Sequence, residues 1–283
     1  MGKLELNSTM LELQKSEGAG FKTFALCYLL YIAVMVIFQI IFRGSQQIVG
    51  VLAGYFAAMP VCVGFMVKVG KRSFASLGMS KEKFLLRYCA GWLVSLVMLA
   101  IVWGINILLG GVSFQFNKNF NITVFLMLLA GFVVQGFMEE FLLRSLLFTQ
   151  IAVKWGMAAG IISNSIIFGL GHISNSGASA ISLINTVLIG TFASLIFYYY
   201  DNVWLVSGFH SGWNFILGPV FGIIVSGFAQ PTSVLLTEAD MNQTILNGGR
   251  YGFEAGLPVT VISILLIVIY WVKIIRKPRA VPG

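Results

Sequence analysis

Six polar side chains set into apolar sequence carry the chemistry open to this chain. Glu139, Glu140 and Arg144 lie in the stretch Gln135-Gly-Phe-Met-Glu-Glu-Phe-Leu-Leu-Arg144, inside an apolar run from about Ile122 to Val153. An ionisable group at the centre of a membrane helix costs about 2.5–3.5 kcal/mol, so such groups normally face a bundle interior or a wet cavity and mark function. Glu140 and Arg144 stand four residues apart with the acid first, the favourable order for an ion pair along a helix. Glu139 is turned by about 100° from Glu140. Arg144 can therefore neutralise Glu140 and leave Glu139 free to act. The competing reading is a buried network of the three that only holds the bundle together. The chain has two histidines, His172 and His210, and both fall in predicted membrane segments. His210 and Asn214 share a helix face, and an imidazole N–H beside a carboxamide N–H₂ suits a developing oxyanion. Phe168 and His172 share a face in the same way, with Phe168 read as a wall of the pocket. A glutamate held near an imidazole can accept a proton from water. Ser163, Ser165, Ser207 and Ser211 read as helix-packing residues rather than nucleophiles.

Glu139-Glu140-xxx-Arg144, Phe168-xxx-His172 and His210-xxx-Asn214, in that order over about residues 120–220, resemble the three motifs of the CPBP family. That family groups the CAAX-prenyl endopeptidases with bacteriocin-processing and abortive-infection-like membrane proteins. The resemblance implies an intramembrane endopeptidase in which Glu139 and His172 activate water, His210 and Asn214 stabilise the tetrahedral intermediate, and Glu140 and Arg144 support the site. On metal, two His and a Glu are the ligand set of many zinc hydrolases. Glu139, His172 and His210 are thus the candidate ligands should zinc bind. The chain has no His-Glu-x-x-His helix, and Asn214 beside His210 suits an oxyanion hole better than a zinc shell, so no cofactor is expected to be required.

The elements that must position these groups follow from composition. With 283 residues, 58% hydrophobic and 10% charged, and a mean hydropathy of +0.91, the chain reads as a polytopic membrane protein. Long continuous apolar segments argue for helices and against a barrel. The expected fold is all-α, a bundle of about eight transmembrane helices around a polar intramembrane cavity. The segments run near 23–42, 47–67, 85–110, 122–153, 156–176, 178–200, 203–228 and 257–273. A single transmembrane domain thus spans 23–273, between an N-terminal segment at 1–22 and a basic tail at 274–283. Residues 1–22 lack a signal-peptide pattern and read equally as a short interfacial helix or a frayed polar tail.

Alternating spans place Lys3, Lys15, Lys22, the cluster from Lys68 to Arg87, Lys154, Lys273, Arg276, Lys277 and Arg279 on one side. Arg43, Lys118 and Arg250 fall on the other. That asymmetry puts both termini in the cytoplasm. The net charge of +8 suits anionic lipid head groups, while the basic residues flank membrane segments in a way that does not suit nucleic acid. Cys27, Cys62 and Cys89 read as buried thiols. Gly50/Gly54, Gly156/Gly160 and Gly208/Gly212 read as close-packing pairs, and the polar loop 229–256 as a candidate lid. Straight upright helices would leave His172 near the outer end of its span and His210 only about 10 Å from the inner end of its own. Either the segments around 156–200 are short, tilted or broken, or their boundaries lie elsewhere. The leading reading is an endopeptidase acting on a peptide or membrane-associated protein. The alternatives are a non-catalytic immunity or partner-binding protein of the same family and, less favoured without internal repeats, a proton-coupled transporter.

Overall fold

The structure, a computed structural model, describes residues 4–16, 20–42 and 47–276. Lys3, Arg43, Lys277 and Arg279, and most of the expected basic tail, lie outside them. Among the described residues, six helices are long and apolar enough to cross a membrane: Phe21–Ile41, Val49–Lys68, Phe84–Leu108, Ile122–Trp155, Ala180–Tyr200 and Leu257–Arg276. The all-α expectation holds, with one two-stranded sheet among the described residues.

The N-terminal segment is a docked helix, α1 (Ser8–Gln14), and not a frayed tail. Asn7 caps it by accepting from Met10 N, and Met10 and Leu13 are buried. Asp201 accepts from the backbone N–H of Ser8 at 3.1 Å and of Thr9 at 3.0 Å. An anion at a helix N-terminus meets both the unpaired amides and the positive end of the helix dipole.

Helices α2 (Phe21–Ile41) and α3 (Gln47–Lys68) form an antiparallel hairpin. They approach closely at Gly50 and Gly54, where an added Cβ would fall 2.7 Å from Phe42 Cβ and 3.0 Å from Met35 Sδ respectively. Cys27 and Cys62 are buried across this hairpin, each thiol donating to the other's carbonyl. Cys89, read as buried, is exposed: it lies on the outward face of α4 (Phe84–Leu108), where the surrounding apolar run is exposed too.

The central element is α5 (Ile122–Glu140), capped by Asn121. It runs into a π-helical stretch, Phe141–Phe148, and on into α6 (Thr149–Trp155). Gly156, at φ +91°, turns the chain into α7 (Met157–Leu170). A Cβ there would meet nothing within 4 Å, so Gly156 serves the turn and is no packing partner of Gly160. Helix α8 (Ala180–Tyr200) opens with a reciprocal Ser179/Ser182 capping box. Helix α9 (Val203–Phe215) continues as a π-helical turn, Ile216–Val220. It lies against α4 backbone to backbone: a Cβ on Gly208 would fall 2.0 Å from Tyr88 O, and one on Gly91 would fall 2.1 Å from Leu205 O. Strands β1 (Val112–Phe116) and β2 (Leu235–Ala239) pair antiparallel, Val112 opposite Ala239 and Phe116 opposite Leu235. The short α10 (Thr244–Asn247) and two 3₁₀ turns lead to α11 (Leu257–Arg276).

All eight expected segments contain a helix, but two are shorter than a bilayer. Segment 156–176 ends as a helix at Leu170, and segment 203–228 leaves helical geometry after Val220. This resolves the depth conflict. Fourteen residues of α7 rise about 21 Å at 1.5 Å each, against about 30 Å for the hydrocarbon core. Helix α7 is therefore too short to cross the hydrocarbon core by itself, and the ring of Phe168 comes within 6.0 Å of that of His210.

Candidate active site

The junction of α5 with the π-helical stretch points its two glutamates at different neighbours. Glu140 Oε1 accepts from Arg144 Nη1 at 2.9 Å and from His210 Nδ1 at 2.7 Å. Arg144 Nη2 donates to Gly190 O at 3.1 Å, and the guanidinium lies over the Phe168 ring, 4.9 Å from its centroid. The side chains of Arg144 and Glu140 are 0% and 2% exposed. Glu139, at 21%, opens on a cavity. Its Oε1 accepts from Tyr55 Oη at 2.8 Å and from Gln135 Nε2 at 3.0 Å. Its Oε2 stands 3.6 Å from His210 Nε2, beyond a direct hydrogen bond, and has no nearer partner among the described residues.

His172 sits in the turn just beyond α7. Its Nδ1 lies 2.9 Å from Phe168 O. A carbonyl only accepts, so this contact assigns the proton to Nδ1 and leaves Nε2 as the free nitrogen. The His172 ring meets Phe168 edge-on at 4.9 Å, and Phe168 also meets the His210 ring edge-on and carries Arg144 over its face. Asn214, one helical turn beyond His210 on α9, is nearly buried and has no side-chain hydrogen bond among the described residues.

Glu139, Glu140, Phe168, His172, His210 and Asn214 all line one cavity of about 1030 Å³, and Arg144 lies behind its wall. Aliphatic and aromatic side chains of α2, α3 and α5, among them Tyr28, Leu52 and Phe132, line it together with the polar cluster. The loop read as a lid supplies part of the wall through Glu254.

Three contributors went unassigned in the sequence. Gln135 is i,i+4 to Glu139, a spacing that could have found it. Tyr55 is 84 residues from its partner, and an aromatic residue in an apolar helix carries no local mark. Glu254 lies in a polar loop, where an acid is ordinary.

The ion pair leads to an expectation about stability. Removing one partner of a buried pair leaves an uncompensated charge, at a cost of about 3–5 kcal/mol. Glu140→Gln should therefore lower the Tm in detergent by several degrees, with Arg144 left charged and buried. A variant that melts with the unmodified protein would show that Arg144 does not depend on Glu140.

Residues 121–216 match the family described as Type II CAAX prenyl endopeptidase Rce1-like. The match covers about a third of the chain and includes the glutamates, Arg144, Phe168, both histidines and Asn214; Tyr55 and Glu254 lie outside it. Comparison with curated proteins gave no match. Over residues 121–216, then, this multi-pass integral membrane protein is similar to the Rce1-like family of type II CAAX prenyl endopeptidases.

Proposed function

We propose that the chain is an intramembrane endopeptidase that hydrolyses a peptide bond of a peptide or membrane-associated protein reaching the cavity from the bilayer. The observation that carries this reading is the open Oε2 edge of Glu139, which shares the cavity with the unprotonated Nε2 of His172 and the unpartnered carboxamide of Asn214. A water between Glu139 Oε2 and His172 Nε2 can donate one hydrogen to each. Glu139 takes the first proton as the water oxygen attacks the carbonyl carbon. His172 accepts a hydrogen bond from the remaining O–H and orients the oxygen. The oxyanion receives N–H from Asn214 and, with His210 in its imidazolium form and its Nδ1–H on Glu140, from His210 Nε2. Collapse of the intermediate breaks the C–N bond, and Glu139 returns its proton to the leaving amine. Tyr55 and Gln135 fix Glu139 through its other oxygen, while Glu140 orients His210 through Nδ1.

Zinc on Glu139, His172 and His210 fits this donor arrangement poorly. No group of three His, Cys, Asp or Glu among the described residues is arranged to hold an ion. His210 Nδ1 is committed to Glu140, and its Nε2 points towards Glu139. No step is therefore assigned to a metal.

We assign the end bearing α1, Lys68, Lys154 and Lys273 to the cytoplasm, since positive charge concentrates there. Lys154 packs over Trp155, 4.7 Å from its ring centroid, as an interfacial anchor.

The full chain reconstituted in liposomes and incubated with a library of apolar peptides should yield new termini by mass spectrometry, which a Glu139→Gln preparation does not. Identical product profiles from the two would overturn the hydrolase reading and favour a peptide-holding protein that keeps the cluster for binding.

A further inference from the structure

Glu254 is a buried acid that the proposed reaction does not use. It sits in the 3₁₀ turn Phe253–Ala255 that leads into α11, is 7% exposed and lines the same cavity as His210 and Asn214. Its carboxylate is held by three uncharged donors. Trp213 Nε1 donates to Oε1 at 3.0 Å, and the N–H and Oγ–H of Ser226 donate to Oε2 at 2.5 and 2.8 Å. The backbone is pinned as well, because Asn185 Nδ2 donates to the carbonyls of Glu254 and Gly256 at 2.9 and 3.0 Å. The turn therefore presents this acid rigidly.

No lysine or arginine pairs with Glu254 among the described residues, and none lines the cavity. Three carboxylates face the space: Glu139, Glu140 and Glu254. The Arg144 guanidinium lies behind Phe168 and is tied to Glu140. A carboxylate has about four acceptor positions, and the three donors leave one unfilled. Burying a charge without a counter-charge costs several kcal/mol, which a neutral residue in the same turn would avoid. A walled cavity also concentrates the field of its charges on whatever enters. A cationic group entering the cavity would supply that counter-charge.

We propose that Glu254 forms a subsite for a basic side chain, lysine or arginine, of the substrate. Trp213, which holds the carboxylate, immediately precedes Asn214. The basic residue is thereby placed within a few residues of the bond whose oxyanion Asn214 faces. This inference rests on the endopeptidase reading for its orientation, but its binding step can be measured without cleavage.

The test uses the full chain in nanodiscs of zwitterionic lipid, so that no head-group charge competes, and three fluorescein-labelled decapeptides of leucine and alanine. They differ at one central residue: lysine, acetyl-lysine or glutamate. By anisotropy, the lysine peptide should bind about tenfold or more tighter than its acetylated twin, with the glutamate peptide weakest. Glu254→Gln should bring the lysine to acetyl-lysine ratio close to one. Ser226→Ala, which loosens the turn but keeps the charge, should preserve the ratio. A merely structural role would make the two variants alike, lowering all three affinities together. Equal affinity of the intact chain for the three peptides, a lysine preference that survives Glu254→Gln, or no binding of any peptide would overturn the proposal. Mass spectrometry of the same samples separates its failure from that of the reaction. Lysine-selective binding without Glu139-dependent cleavage would leave the subsite standing and count against the hydrolase. Glu139-dependent cleavage with no charge preference would do the reverse.

Discussion

Glu139→Gln is expected to lower peptide cleavage by about 10²–10⁴-fold, the usual contribution of a positioned general base, while leaving the Tm within a degree or two of the unmodified protein. The geometry separates these two readouts. A glutamine keeps a carbonyl oxygen to accept from Tyr55 and Gln135, the bonds that hold Glu139 at 2.8 and 3.0 Å. It cannot accept the proton of water. Nor does the change strand a buried cation, since Arg144 pairs with Glu140 at 2.9 Å. The same substitution one residue later should therefore give a different signature, a lower Tm together with lost activity, since Glu140 pairs with Arg144 and also orients His210. Thermal unfolding in detergent beside the liposome cleavage assay measures both. Equal destabilisation by Glu139→Gln and Glu140→Gln would make Glu139 a structural member of the network and remove it as the base.

Asn214→Ala should cost about 10²–10³ in turnover with little change in substrate affinity, because an oxyanion donor acts on charge that exists only in the transition state. The side chain is nearly buried on the cavity wall with no side-chain hydrogen bond among the described residues, so its loss breaks no internal hydrogen bond. Zinc chemistry would distribute the losses differently. A metal polarises the carbonyl itself, so His172→Ala and His210→Ala would then be far more damaging than Asn214→Ala and would also strip the ion. Activity of the purified chain is expected to survive prolonged dialysis against a strong chelator. Activity lost on chelation and restored by zinc, with Asn214→Ala nearly as active as the unmodified protein, would defeat the oxyanion role and require the Glu139, His172 and His210 ligand set to rearrange around an ion.

What the chain reveals before folding is whatever one helix decides alone. Backbone geometry places residues four apart on one face whatever the rest of the protein does. The Glu140–Arg144 pair, the Phe168–His172 edge contact and the shared face of His210 and Asn214 were all legible for that reason, and even the change to π-helical winding at Phe141 leaves the ion pair intact. Gln135 belongs to the same class and was readable by the same rule. The apolar runs were equally legible, because a bilayer demands some twenty such residues per span. Their lengths were not: whether 156–176 crosses or stops depends on where the chain turns, and turn residues such as Gly171 and Gly177 also occur inside membrane helices. Tertiary packing alone decided which glutamate faces the cavity, since Tyr55 reaches Glu139 from a hairpin 84 residues away. It also carried Glu254, 41 residues beyond Trp213, out of a polar loop and into the wall of the site. Contacts of that separation leave no periodicity in the sequence, because they depend on the packing of whole helices and not on the winding of any one of them.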